Sequence, residues 1–291
     1  MNPIEIGVIG GSGVYSVSGV ETVATLKVNT PFGPPSSEVL HARVGGRDVA
    51  FIARHGQGHR FNPTNVPYRA NIYALKELGV KVVFSVSAVG SLKEELAPRD
   101  FVLPDQLIDR TRLRGGTFFD DLAAHVGFAE PFCGRVRAQV ARCAEGLPLR
   151  VHQGGTYVCM EGPLFSTKAE SQLYRSWGAS VIGMTALPEA KLAREAEMCY
   201  ATVAMVTDYD VWREEHVSVE AVLSTLKANA ENANALLLRL IEAAEPTDDC
   251  PCRHALANAV MTHPDLVTDD VRMRLRPLIG RYFPIAGEES L

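Results

Sequence analysis

An apolar run over residues 199–206 ends abruptly in Thr207-Asp208-Tyr209-Asp210. A short apolar run without helical spacing reads as a fully buried strand. Residues 4–9, 49–53, 81–86 and 155–160 read the same way, and Val181-Ile182-Gly183 forms a shorter strand end before Met184. Between these runs the apolar positions change to helical spacing. Helices are predicted over 66–78, where Gly79 is the stop, and over 131–145. Others cover 167–177, with Gly178 as the stop, 187–198, and 217–242, where Ser218 is the N-cap. Strands alternating with helices predict an α/β fold with a central sheet flanked by helices. The alternation breaks at residues 245–249, where Pro246 sits among acids. The predicted organisation is therefore a catalytic domain over 1–244 and a linker with a short helical C-terminal tail over 245–291. Residues 54–66 and 104–130, rich in Gly, Pro, Asn and charge, are candidate active-site loops.

Composition narrows the function classes. With 46% apolar and 22% charged residues, the chain reads as an ordinary soluble globular protein. Its net charge of −5 and the lack of any Lys/Arg-rich run argue against a nucleic-acid surface. No apolar run is long enough to span a bilayer, and the basic region of a secretory signal is missing from residues 1–6. The expected location is cytoplasmic, with no membrane partner. Among the six cysteines, Cys133, Cys143, Cys159 and Cys199 read as buried small hydrophobes. Cys250-Pro251-Cys252 reads as two free thiols in a linker, as a strained local disulfide, or as half of a metal site with His254 nearby. No second close pair completes a four-thiolate zinc site along the sequence.

The candidate chemistry sits directly after the predicted strands, where open α/β proteins bind ligands. If the strand of residues 199–206 continues through Asp210, Asp208 and Asp210 face one side about 7 Å apart. Two carboxylates in a desolvated cleft do not both ionise readily, so one holds a proton near neutral pH. A solvated turn is the plainer reading of those residues alone. Gly10-Gly11-Ser12-Gly13 presents backbone N–H groups and a hydroxyl, but it is not a dinucleotide fingerprint. Arg54-His55 adds a guanidinium fork for a tetrahedral oxyanion and a histidine beside it. Ser87, Ala88 and Thr185 add further donors. Together they describe a site for free inorganic phosphate, without a P-loop or paired magnesium carboxylates. Phe165, in Glu161-Gly162-Pro163-Leu164-Phe165-Ser166, offers a face on which a flat base stacks.

The motifs also carry a family resemblance. Ile9-Gly10-Gly11-Ser12-Gly13, Ala53-Arg54-His55-Gly56, Asn71 to Lys76, Ser87 to Leu92, Asp105 to Thr111, Ala129-Glu130-Pro131-Phe132-Cys133, Glu161 to Ser166, Met184-Thr185 with Pro188-Glu189, and Thr207 to Asp210 with Trp212 follow one another in family order. Over residues 7–242 the chain resembles the methylthioadenosine phosphorylase family, within the trimeric purine nucleoside phosphorylase fold. The resemblance implies a central mixed sheet, a homotrimer with sites at subunit interfaces, and a pentosyltransferase of purine and methionine salvage. It implies that Ser12, Arg54, His55, Ser87, Ala88 and Thr185 hold phosphate and that Met184 packs on the ribose. Phe165, Ser166, Asp208 and Asp210 would surround the base. Val219 would face the 5′ end of the sugar, and His125 would come from a neighbouring subunit. Gly183 stands where the close family members lead one to expect asparagine.

The implied reaction is phosphorolysis, in which phosphate attacks C1′ of a nucleoside and the purine leaves. Phosphate is then a co-substrate, and neither cofactor nor metal is expected at the site. Asp208 is the expected donor to purine N7 and Asp210 the acceptor from the exocyclic amine. Asp-Tyr-Asp favours 6-aminopurines, because a carboxylate meets a 6-oxo group oxygen to oxygen. Valine at position 219 suits a methylthio group better than a 5′-hydroxyl. Both arguments converge on 5′-methylthioadenosine; the alternative is a 6-oxopurine nucleoside or methylthioinosine phosphorylase. A non-catalytic purine sensor would not need a phosphate site, and a water-using nucleosidase would not need Arg54 and Thr185.

Overall fold

The structure, a computed structural model, describes residues 3–11, 19–213 and 219–285. Its strands are β1 (Ile6–Gly10), β2 (Glu21–Leu26), β3 (Val39–Val44), β4 (Arg47–Ala53), β5 (Val82–Ser91), β6 (Phe101–Leu103), β7 (Gln106–Arg110), β8 (Val151–Gln153), β9 (Thr156–Met160), β10 (Val181–Gly183) and β11 (Cys199–Asp208). The helices are α1 (Tyr68–Glu77), α2 (Gly134–Ala144), α3 (Lys168–Ser176), α4 (Ala186–Glu195), α5 (Val219–Glu242), α6 (Asp269–Arg274) and α7 (Arg276–Ile279). All strands belong to one mixed sheet, in which β2-β3-β4-β1-β5-β10-β9-β7 form a path and β11, β6 and β8 branch from β5.

The apolar runs became the central strands for the reason the sequence offered: both faces of the sheet are covered. Along β11, Tyr200, Ala204 and Val206 point into a core shared with α1 and α4. The intervening Cys199, Ala201, Val203 and Met205 point into a second core with α2 and α5. The side chains alternate between faces, yet nearly every position through Val206 is apolar because neither face meets water; the exception, Thr202, is buried and donates to Tyr200 Oη at 3.0 Å. Local signals set the helix ends. Thr167 and Glu170 make a reciprocal capping box at the start of α3, and Gly79, at φ 95°, follows α1.

The structure differs from the sequence reading in three places. Residues 21–44 contain the antiparallel strands β2 and β3, whose outer member is largely exposed and lacks an apolar run. Residues 104–130 are not one loop, because Gln106–Arg110 forms β7 and pairs in parallel with β9. The tail is helical but broken into α6, α7 and the 3₁₀ turns Pro251–His254 and Pro264–Leu266. Leu256, Leu275, Leu278 and Ile279 of that tail join the core of α1 and α4, and Tyr73 donates to the carbonyl of Arg274 at 3.0 Å.

Candidate active site

The site begins as a gap in the sheet. Val82 of β5 pairs with Ile6 of β1 on one side and Cys199 of β11 on the other. Gly90 pairs with Ile182 of β10 and Asp208 of β11. Strands β1 and β10 therefore share the edge of β5 opposite β11. The β1 pairing ends at Ser85 and the β10 pairing begins at Gly90. Between them, that edge of residues 86–89 faces a cavity of about 390 Å³. The carboxyl ends of the parallel β1, β4, β5 and β11 point toward this gap, at a switch in strand order.

The cavity is lined by Arg54, His55, Ser87, Ala88, Phe165, Met184, Thr185, Asp208 and Asp210, so most of the sequence-derived set converges. Ser87 Oγ is buried and has no partner among the described residues. Such a hydroxyl in a cavity wall is poised for a ligand. His55 Nδ1 lies 2.9 Å from the carbonyl of Phe61. A carbonyl only accepts, so Nδ1 carries the proton and Nε2 is left as an acceptor. Burial, followed by the charge of Arg54, pushes His55 down to about 4, and the ring is neutral at neutral pH.

Arg54 is a partial correction. Its fork, expected to meet an oxyanion, is held by Glu189 through Nε–Oε2 at 2.8 Å and Nη2–Oε1 at 3.0 Å. Nη1 also donates to the carbonyl of Val86, and Nη2 to Ser85 Oγ. One Nη1 N–H is left without a partner among the described residues. The arrangement follows from burial: a guanidinium at 1% exposure needs a counter-ion, and Glu189, equally buried, supplies it.

The acid pair forms by another route than the expected pleat. β11 ends at Asp208, and Asp210 opens the 3₁₀ turn Asp210–Trp212 with φ 51°. The backbone N–H of Asp210 donates to Asp208 Oδ1 at 2.8 Å, so a turn brings the carboxylates together. A bulge at Thr207 shifts the β11 register at this point. Gly90 makes room beneath, since a Cβ there would lie 3.0 Å from Asp208 Oδ1 and 3.3 Å from Asp210 Cβ. Burial raises both carboxyls above the ordinary aspartate range, and the Asp208 charge raises Asp210 further. Thr207 Oγ1 lies 2.7 Å from Asp208 Oδ2 and 3.2 Å from the carbonyl of Val89. The hydroxyl has one hydrogen. When it goes to the Val89 carbonyl, Asp208 Oδ2 must carry the proton of the short contact. Asp210 Oδ2 is buried and unpartnered among the described residues.

Other expected site residues are placed differently. Ser12 lies outside the described residues, as does the side chain of Val219, whose backbone opens α5. Val222 and Leu223 of the same helix do line the cavity and supply an apolar wall. Ser166 is buried beside Met160, its hydroxyl 3.6 Å from the sulfur, and is not in the cavity wall. His125 is exposed on a segment whose backbone bonds to Ala259. Within one chain it does not reach the cavity.

Several supporting residues went unnoticed in the sequence. Glu189 appeared only as part of a motif, and Thr207 only as the residue before the acids. Arg114 ties the Glu161 carboxylate, at 3.0 Å, to the carbonyls of Met184 and Leu187, each at 2.6 Å. It thereby fixes the loop of Phe165 against the segment of Met184. Burial pushing Glu161 up is outweighed by the N–H groups of Arg112 and Leu113 and by Thr64 and Arg114, which hold it at about 2. Tyr157 explains Gly183: a Cβ at 183 would lie 2.0 Å from Tyr157 Oη. The phenol, fully buried on β9, fills the space that an asparagine would take. A bulky residue on the neighbouring strand was the available sequence signal.

Comparisons with known proteins identify the family and agree with the fold. A model of the phosphorylase superfamily matches residues 5–242. An S-methyl-5′-thioadenosine phosphorylase of Koribacter versatilis is 53% identical over 289 residues, covering 98% of each chain. One of Cereibacter sphaeroides is 53% identical over 282 residues, 95% of this chain and 97% of its own. The crystal structure of a methylthioadenosine phosphorylase from an antarctic soil metagenomic library superposes with a TM-score of 0.91 at 45% identity, covering 96% of this chain and 99% of its own. The Schistosoma mansoni methylthioadenosine phosphorylase in complex with adenine gives 0.84 at 34% identity, covering 89% and 99%. The chain belongs to the phosphorylase superfamily, in the family of the S-methyl-5′-thioadenosine phosphorylases.

Proposed function

We propose that the chain catalyses phosphorolysis of 5′-methylthioadenosine, giving adenine and 5-methylthioribose 1-phosphate. A phosphate oxygen forms the new bond to C1′ as the C1′–N9 bond breaks. The sugar passes through an oxocarbenium-like state, which the phosphate charge stabilises from its own face. Ser87, Thr185, the backbone at Ala88 and the remaining Arg54 N–H donate to phosphate, while His55 Nε2 accepts from a phosphate hydroxyl. Ser12 is assigned to the same group from the sequence. The electron pair left on the purine draws a proton to N7 from Asp208. Asp210, with its unpartnered Oδ2, accepts from the 6-amino group. Phe165 stacks on the base, and Ser166 backs that loop.

The observation that carries this reading is the spacing of two unlike groups along one strand. The orphaned Ser87 hydroxyl and the partner of Asp208, Gly90, are separated by about 10 Å on β5. A ribose bridges a phosphate and a base edge over such a span. Met184, also in the cavity wall, is assigned to the sugar. The apolar Val222 and Leu223, with Val219 from the sequence, favour a methylthio group at the 5′ end. No organic cofactor or active-site metal enters the scheme. We assign His125 to the site of a neighbouring subunit in a homotrimer, where it closes the 5′ end. No described helix is long and apolar enough to cross a membrane; the enzyme is assigned to purine and methionine salvage, with the cytoplasm as its proposed location.

The base assignment is tested by measuring release of adenine and hypoxanthine from paired 6-amino and 6-oxo nucleosides. Wild type is expected to prefer the 6-amino member, and Asp210→Asn to shift toward the 6-oxo member. An unchanged preference in both Asp208→Asn and Asp210→Asn would remove the acids from base recognition.

A further inference from the structure

At the end of β11 remote from the acid pair, four cysteines meet. Cys133 precedes α2 as its N-cap, Cys199 opens β11, and Cys250 and Cys252 flank Pro251 at the start of a 3₁₀ turn. All are buried, at exposures from 0% to 7%, and all are free thiols. Their four sulfurs lie within 4.8 Å of one another. Cys133 Sγ and Cys250 Sγ are 3.7 Å apart.

These distances separate the possible chemistries. A disulfide needs sulfurs at about 2.0 Å, and bridges join cysteines in pairs. Here each sulfur is near all three others, although they come from three separate segments. A tetrahedral zinc ion with Zn–S bonds of about 2.3 Å sets its sulfurs about 3.8 Å apart along every edge. The 3.7 Å contact already has that length, and the widest pair needs to close by about 1 Å. The charge also has a counterpart. Four thiolates around a divalent ion leave a buried double negative charge, and Arg135, in the first turn of α2, donates from Nη2 to Cys199 Sγ at 3.7 Å. Its Nη1 is anchored on the carbonyl of Glu245 at 2.8 Å. A donor held in this way orients and neutralises the sulfur ligands.

We propose that Cys133, Cys199, Cys250 and Cys252 form a tetrathiolate site for one zinc ion, which fastens the beginning of the C-terminal tail to α2 and β11. On binding, each thiol releases its proton to solvent as its sulfur takes a coordination position, and no oxidant or reductant is involved. With every position filled by protein, the ion has no open site for substrate and is structural. It lies about 30 Å from the acid pair along β11, so it acts on stability and leaves the chemical step alone. Pro251 keeps the two tail ligands at a fixed separation. Lys81, which pairs with Asp248 at 2.9 Å, holds the chain just before them.

The test is metal analysis of the full chain purified without a metal-affinity tag. The expected result is about one zinc per chain. Exchange with Co(II) is expected to give the visible bands of a tetrahedral ion and sulfur-to-cobalt charge transfer. After chelation in denaturant, all six cysteines should titrate as thiols. Cys250→Ser/Cys252→Ser is expected to lose the metal and melt several degrees lower, with phosphorolysis at low temperature retained. Cys143→Ser, outside the cluster, should keep the metal. Wild type that is metal-free, has six reduced thiols and takes up no cobalt would overturn the proposal. A thiol count reduced by disulfides would overturn it equally. Both readings use wild type, so they decide the matter even if the double variant does not fold.

Discussion

Asp208, Thr207 and Val89 share one hydroxyl hydrogen, and that constraint is the smallest unit of the proposed mechanism. Burial raises the Asp208 carboxyl above its ordinary range, whereas donation from Thr207 to Oδ2 holds it down; the general acid therefore needs the arrangement in which the hydrogen goes to the Val89 carbonyl and Asp208 Oδ2 carries a proton. Asp208→Asn is expected to lower kcat/KM for methylthioadenosine by about 10²–10⁴-fold, the usual contribution of such an acid. A loss below tenfold in steady-state kinetics would show that N7 is protonated from elsewhere. Gly183 makes a second prediction at this scale. Gly183→Ala drives a methyl group into Tyr157 Oη and is expected to lower stability by about 1–3 kcal/mol in thermal unfolding. Tyr157→Leu should relieve most of that loss. The acids were legible in the sequence because an apolar strand ends on them. Their geometry was not, since the pair is assembled by a bulge and a left-handed residue, and neither leaves a periodic signal.

Among elements, the buried pair of Arg54, just after β4, and Glu189 on α4 lies at the side of the cavity assigned above to phosphate. The sequence showed both residues but not that they meet, because 135 positions separate them and only the fold joins them. The guanidinium fork read as a ligand for an oxyanion is therefore mostly structural. Glu189→Ala leaves a buried charge without its partner and is expected to cost about 3–5 kcal/mol. Glu189→Gln, which keeps the shape, should raise KM for phosphate more than it lowers kcat. An unchanged KM for phosphate in a folded Glu189→Gln variant would separate Arg54 from phosphate binding. The sheet was legible where strands are apolar on both faces, as in β5 and β11. In β10 the strand was legible as Val181-Ile182-Gly183, but its short antiparallel pairing to β5, which closes the cavity, was not.

For the whole molecule, the sign of the buried charges sets the response to pH. His55 is favoured in its neutral form, with its folded pKa near 4 against an ordinary 6.5. Its contribution is complete above the unfolded value and is lost on acidification between about pH 6.5 and 4, worth up to about 3 kcal/mol. Glu161, held at about 2, extends the same trend below its ordinary 4.5. These two groups make thermal stability fall with pH through that window, against the opposite trend of the raised Asp208 and Asp210 carboxyls, so His55→Gln should flatten the upper part of the fall. The tail behaves as part of the same body, sharing its core with α1 and α4 and its backbone bonds with the segment of His125. That histidine was legible only through family resemblance, since its proposed work lies in a neighbouring chain. The most direct test of the account is product analysis with methylthioadenosine, with and without inorganic phosphate. The account predicts adenine and a phosphorylated methylthiopentose in equal amounts, with no turnover when phosphate is left out. Adenine released at the same rate without phosphate would contradict it.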